Sequence, residues 1–189
     1  MQRTTTTATE GKILLDKAAL AKKIQGLAQA IAKEFGKQSS LALVGVQTRG
    51  VPLARRVAAY LEKEWGREVP LGILDITLYR DDVHAIAEQP EVKETDLPFE
   101  IDDRPLVLID DVLFTGRTVR SAMNAIIDYG RPQCIRLAVL VDRGHRELPV
   151  AANFIGLVVD TQRDDIIDVN LQETDGEDAV RLRRKGKNG

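Results

Sequence analysis

The chain of 189 residues has a single cysteine, Cys134. One thiol excludes an intrachain disulfide and any cysteine-built metal cluster, and it fits a reducing, cytoplasmic setting. Lying beside strand-forming residues, Cys134 is expected to be a small core filler. Long apolar runs are absent too: none approaches the roughly 20 residues of a membrane span, so no membrane partner is expected. The polar start, Met1 to Gly11, lacks the hydrophobic region of a secretory leader. Nor is there an excess of charge of one sign. The net charge of −2 creates no general field for nucleic acid, so RNA binding would need a local basic patch. Arg181, Arg183, Arg184, Lys185 and Lys187 crowd the C-terminal end and read as a solvated tail. No internal repeat and no second domain are visible. What remains, 43% hydrophobic and 30% charged, is the composition of a globular chain long enough for one full core.

The most informative stretch runs from Pro105 to Thr118. Leu106 to Ile109 form an apolar run, the signal of a buried strand. Asp110 and Asp111 follow at its expected end, and Thr115-Gly116-Arg117-Thr118 stand where a helix is expected to begin. Val119, Ala122, Met123, Ile126 and Ile127 recur at helical spacing, with Gly130-Arg131-Pro132 as the stop. Free N–H groups and the positive end of the helix dipole converge at such a turn and make a seat for phosphate. Gly116 lets the backbone come close, and the Thr115 and Thr118 hydroxyls can donate to phosphate oxygens. An isolated Asp-Asp pair at such a turn is more often a cap. Two acids beside a phosphate seat, however, call for a polyhydroxyl partner or a metal, and together the pieces describe a binder of a phosphorylated sugar.

Elsewhere the chain repeats the strand–turn–helix theme. Residues 1–11 are Thr-rich and aperiodic, expected as a disordered extension; residues 12–183 form one domain, and 184–189 a basic tail. Asp16 can cap a helix with Leu20, Ile24, Leu27, Ile31 and Phe35 on one stripe and Gly36 at its end. Leu41 to Val46 reads as a strand, followed by Thr48-Arg49-Gly50 and a helix marked by Leu53, Val57, Leu61 and Trp65. Ile73 to Leu78 predicts a strand with Asp75 and Thr77 on one face. A polar segment without clear periodicity then runs from Tyr79 to about Asp103, a length that is more often functional than idle. Ile135 to Val141 and Phe154 to Val159 are further strands, and Ile166 to Leu171 with Ala179 to Leu182 suggest a closing hairpin around Asp175-Gly176. Successive strand–helix units predict an α/β fold: a mostly parallel sheet flanked by helices, with ligands at the strand C-termini.

The string Ile109 to Arg120 resembles the phosphoribosyl pyrophosphate (PRPP) loop of the type I phosphoribosyltransferases. Thr77-Leu78-Tyr79-Arg80-Asp81-Asp82, Ala138 to Pro149, and Thr48-Arg49-Gly50 in register narrow the likeness to the PyrR family over about residues 13–182. These are pyrimidine-operon regulators that are also uracil phosphoribosyltransferases. The resemblance implies transfer of ribose 5-phosphate from PRPP to uracil, giving UMP and pyrophosphate, with Mg²⁺ carried by PRPP and no direct protein ligand to it. Asp110 and Asp111 would hold the ribose hydroxyls, and Val112, Leu113, Phe114 and Thr115 to Thr118 would cradle the 5′-phosphate. Thr48, Arg49 and Gly50 would form the pyrophosphate loop, with an unusual cis peptide geometry eased by the glycine. Arg80, at the base of a flexible lid, would neutralise a pyrophosphate oxygen; His84 is given no role. Val141, Asp142 and Arg143 would border the base. The likeness also implies a homo-oligomer and UMP-dependent binding of pyrimidine-operon leader mRNA by a face including Arg143, His145 and Arg146. DNA is not expected as a partner, since no DNA-binding domain is added. On the first helix this chain carries Gln25, Gln29 and Glu34 outward, where Glu34 would repel an RNA phosphate and Lys22, Lys23 and Lys33 partly compensate. The alternatives are a phosphoribosyltransferase without RNA binding, or one specific for hypoxanthine, guanine or orotate.

Overall fold

A strand that is apolar on both sides needs cover on both faces, and two strands here meet that condition. β2 (Ala42–Val46) is buried throughout, and β4 (Pro105–Leu113) is buried over residues 105–110. The computed structural model describes residues 11–36, 40–79 and 94–184. Within it, β2 and β4 are central in a five-stranded sheet completed by β3 (Leu71–Leu74), β5 (Cys134–Asp142) and β6 (Phe154–Val158). The order is β3-β2-β4-β5-β6 and every pairing is parallel. Side chains alternate across β4: Val107 and Ile109 join one core, Leu106 and Leu108 the other.

Helices α1 (Lys17–Phe35) and α2 (Gly50–Trp65) cover the first face, and α3 (Arg117–Tyr129) covers the second. The Asp16 carboxylate accepts the Ala19 N–H at 2.8 Å, so the expected cap opens α1. Leu20, Ile24, Leu27 and Ile31 are all within 2% of full burial, while Phe35 at the end of the stripe is only partly covered. On α3, Val119, Ala122 and Ile126 are buried, but Ile127 is 59% exposed. A smaller antiparallel sheet, ordered β1-β8-β7, adds β1 (Lys12–Leu15) to β7 (Ile166–Asn170) and β8 (Ala179–Arg183). A short helix, α4 (Gln172–Asp175), bridges β7 and β8. Val169, Leu171 and Val180 pack into the α1/α2 core, so the small sheet is seated beside the start of α2.

Three expectations need correction. The strand expected over Ile73 to Leu78 stops at Leu74. There the Asp75 carboxylate accepts the Thr77 N–H at 2.9 Å and its hydroxyl at 2.6 Å, and this side-chain turn bends the chain into a 3-10 turn at Thr77–Tyr79. Asp110 and Asp111 lie within β4 and not beyond it, because β5 runs alongside as far as Asp142 and holds Val112 and Leu113 in register. The closing hairpin forms as expected between β7 and β8, and it is joined by a third strand, β1, whose four residues are too short a pattern to read. Cys134 is half-buried at the start of β5, against a surface depression with Ile127, Gly130 and Pro132, and is not a core filler.

Candidate active site

The ends of β2, β3 and β4 open on a cleft of about 330 Å³ lined by Gln47, Thr48, Arg49, Asp75, Asp110, Asp111 and Thr118, among others. The turn after β2 contains a cis peptide, between Gln47 and Thr48. The expected cis geometry is therefore present, though not at the glycine. Gly50 serves another purpose: a Cβ there would stand 2.5 Å from the Ile109 carbonyl oxygen. Without a side chain, the start of α2 lies directly against β4 just before the two acids, which brings the two loops to one cleft.

Asp110 is buried and Asp111 partly exposed. The Asp110 carboxylate accepts the Asp111 N–H at 2.9 Å, and the Asp111 carboxylate accepts the Val112 N–H at 2.8 Å. Burial holds the Asp110 carboxyl well above the usual range, and the charge of Asp111 adds to this. Burial raises Asp111 as well, against the opposing pull of its hydrogen bonds and of Arg49. A pair of acids held in this state gains from any ligand that donates hydroxyl protons to it.

Arg49 reaches the cleft from the N-cap position just before α2, with its side chain 38% exposed. Its Nε donates to Asp175 at 3.1 Å and its Nη2 at 2.7 Å. Asp175 ends α4 and also accepts the Leu171 N–H at 2.9 Å. The guanidinium lowers the Asp175 carboxyl below its ordinary range, and the carboxylate raises Arg49 in return. Nothing in the local sequence pointed to Asp175, which lies 126 residues from its partner. Arg80, His84 and residues 80–93 of the segment expected as the lid, which runs from Tyr79 to about Asp103, lie outside the described residues.

Gly116 precedes α3 with φ of +91°, a left-handed conformation suited to glycine, and no side chain caps the helix. The Thr115 hydroxyl lies 3.4 Å from the Arg117 N–H, and Thr118 lines the cleft. Arg117 points to Glu147, at 2.7 Å. Leu113 is buried, whereas Val112 and Phe114 are partly exposed. So the two acids, the turn and the start of α3 stand together as expected.

The residues assigned to base and RNA are placed differently. Val141 is buried in β5. The Asp142 carboxylate accepts the Gly144 N–H at 3.0 Å and pairs closely with Arg146. Arg143 is only 6% exposed; its Nη2 donates to the Gln162 and Arg163 carbonyls, and its guanidinium stacks 4.0 Å over the Phe114 ring. Burial lowers its pKa. Nε2 of His145 is 2.7 Å from the Thr161 carbonyl. Of the three residues expected at RNA, Arg143 is thus buried, while His145 and Arg146 are partly exposed and also bonded within the chain. Glu34, expected to repel RNA, is paired with Arg136 at 2.6 Å.

The sequence profile of the phosphoribosyl transferase domain family matches residues 10–174. A bifunctional protein PyrR from Thermus aquaticus is 56% identical over 145 residues, 77% of this chain and 80% of that protein. Another, from Clostridioides difficile, is 50% identical over 170 residues, covering 90% of this chain and 96% of that one. Among solved structures, the hypoxanthine phosphoribosyl transferase of Trypanosoma cruzi aligns with a TM-score of 0.71 at 16% identity over 95% of either chain. At that identity the likeness is one of fold.

Proposed function

Because the chain belongs to the phosphoribosyltransferase domain family and, within it, to the bifunctional PyrR proteins, we propose that its cleft joins PRPP to uracil and that the product tunes a regulatory function. The activity is that of a uracil phosphoribosyltransferase: ribose 5-phosphate passes from PRPP to uracil, giving UMP and pyrophosphate. The regulatory function is attenuation of pyrimidine-operon transcription through UMP-dependent binding of leader mRNA. The observation that carries the transferase reading is the acid pair in the last residues of β4, one short turn ahead of a helix N-terminus whose N-cap is Gly116.

In the reaction the C1′–O bond to pyrophosphate breaks, the C1′–N1 bond to uracil forms, and N1 loses its proton. Charge builds on the leaving group, where Arg49 and the N–H groups of the Thr48–Gly50 turn act, with Arg80 as a further cation. The ribose gains positive character at C1′. Asp110 and Asp111, accepting its hydroxyls, stabilise that charge through two hydrogen bonds. Thr115 to Thr118 fix the 5′-phosphate, and backbone groups at Val141 to Arg143 read the edge of uracil. Holding the base in line contributes on the order of 7–11 kcal/mol to such a reaction. Among the described residues no group of three or more His, Cys, Asp or Glu is assembled to hold a metal. The reading is of Mg²⁺ that arrives with PRPP, since Mg²⁺ keeps most of its waters and binds substrate phosphate oxygens. Carried on PRPP, with no direct protein ligand, it would neutralise pyrophosphate charge.

No helix among the described residues is long and apolar enough to cross a membrane. The likeness to the PyrR proteins supports the reading of a cytoplasmic enzyme that works as a homo-oligomer. For RNA, the cations exposed on α1 are Lys17, Lys22 and Lys33, and the pairing of Glu34 with Arg136 removes the repulsion an isolated Glu34 would exert. Replacing Asp110 and Asp111 by Asn tests the transferase reading: turnover should vanish while circular dichroism stays native, and a fully active variant would overturn it. A titration of labelled leader RNA at two salt concentrations, with and without UMP, tests the regulatory half. UMP-enhanced, sequence-selective and salt-sensitive binding supports it; binding equal to that of an unrelated hairpin refutes it.

A further inference from the structure

We propose that Arg146 is a positioning residue for the transfer reaction, setting the backbone of the phosphate loop without touching the substrate. The inference rests on the transferase reading above. It starts from where the Arg146 nitrogens go. Nε donates to the Val150 carbonyl at 3.1 Å, and Nη1 lies 2.8 Å from the Phe114 carbonyl, 3.0 Å from Gly144 and 3.4 Å from Leu113. Nη2 pairs with the Asp142 carboxylate. All three nitrogens are engaged, four of the five acceptors are main-chain carbonyls, and two of those belong to the loop that leads into α3.

The direction of these bonds is what matters. In a trans peptide the C=O and the following N–H point to opposite sides. Leu113 and Phe114 turn their carbonyls toward Arg146, and the Leu113 carbonyl also accepts the Arg143 N–H at 3.1 Å. The Thr115 carbonyl accepts the Glu147 and Leu148 N–H groups at 2.9 and 3.1 Å. Three successive carbonyls are therefore held on the side of residues 143–148, and the N–H groups of Phe114, Thr115 and Gly116 are turned the other way. Successive N–H groups presented in one direction form an anion-binding concavity. Arg146 reaches the loop's far wall as well. A Cβ on Gly116 would stand 3.3 Å from the Val150 side chain, and it is the Val150 carbonyl that Arg146 also holds.

Only a planar fork with five N–H groups can serve acceptors spread in this way; a lysine carries the same charge as a point and cannot. That difference separates positioning from plain charge, the role a phosphate contact to RNA would need. The test compares wild type, Arg146→Ala and Arg146→Lys in steady-state turnover of PRPP with uracil, and in calorimetric titration with ribose 5-phosphate. Both variants should raise the KM for PRPP by about tenfold or more with kcat changed far less, and weaken ribose 5-phosphate in parallel. Lysine at this position with wild-type KM and wild-type ribose 5-phosphate affinity would overturn the proposal. Should Arg146→Ala unfold the chain, Asp142→Asn gives the reading, since it keeps the size and removes one partner of the fork; an unchanged KM for PRPP there would also count against it. If wild type shows no turnover, the transferase reading fails, and the ribose 5-phosphate titration still reports on the loop.

Discussion

Two strand–turn–helix loops border the cleft, and they are held by opposite means. The turn from Phe114 to Thr118 is fixed through its main chain: its carbonyls are taken by the segment from Arg143 to Leu148 and by the Arg146 fork. The turn from Gln47 to Gly50 is joined to the small sheet by one side chain, through the bidentate pair of Arg49 and Asp175. A main-chain clamp fixes N–H groups before the substrate arrives, which suits the phosphate that stays on the ribose. A side-chain pair at a partly exposed site can exchange one anion for another, which suits the pyrophosphate that leaves. The contrast divides preorganisation from adaptability within one cleft.

The electrostatics of the two regions also run in opposite directions. The Asp110 pKa is raised in the fold, so the folded state binds a proton that the unfolded state has released; stability therefore falls as pH rises from about 4 toward neutrality. The Asp175 pKa is lowered, so its contribution is present above about pH 4 and is lost on acidification through the folded value. One pair of acids is held against its own charge for the sake of the ligand; the other acid stabilises the resting fold.

The largest effect that would sharpen this contrast belongs to the acid pair. Asp110→Asn with Asp111→Asn should lower turnover by about a thousandfold or more while raising the melting temperature at pH 7 by a few degrees. The dependence of melting on pH should flatten in the same variant. Calorimetric scans across that pH range read both outcomes, and a variant that melts lower than wild type would show that the pair is not under charge strain.

Next in size is Gly50→Ala. Its Cβ would meet the Ile109 carbonyl at 2.5 Å, a main-chain atom inside the sheet that cannot swing aside. Forcing the two loops apart should cost about 1–3 kcal/mol in denaturant unfolding and should lower turnover together with it. Unaltered stability would mean that α2 slides along β4 freely, and the proximity of the loops would then not be set by this contact.

How much of this was legible in the sequence follows the distance between partners. Asp110 to Thr118 could be read because strand, acids, glycine and helix signals are contiguous. The cis bond and Gly50 were legible as a turn of unusual geometry, although the glycine's role against Ile109 needs the register of β2 beside β4. Asp175 could not be read, since its only local mark is a turn before Gly176. Arg146 was visible as a cation, but its bonds to the loop before α3 were not, because charge in a sequence carries no direction. Its acceptors on the phosphate loop lie 32 and 33 residues away. The strand expected through Leu78 failed for a local reason: the Asp75 carboxylate competes for the Thr77 N–H that a ladder would have used.

The smallest expected effect addresses the adaptable loop directly. Asp175→Asn keeps the shape at Arg49 and the acceptor for the Leu171 N–H, and removes the charge that holds the guanidinium. If Arg49 exchanges Asp175 for pyrophosphate, losing the competitor should tighten PRPP by a few-fold, visible as a lower KM. If instead Asp175 stays paired and orients Arg49 toward the leaving group, the same variant should raise KM and lower kcat together. Since Arg49 is partly exposed, the accompanying loss of stability at pH 7 should remain near or below about 1 kcal/mol, and it should fade as the pH falls below about 4, through the lowered value of the folded carboxylate. Direction of the KM change is the deciding quantity, because screening by solvent limits the stability effect under either arrangement while only a competing anion makes its removal favourable to PRPP.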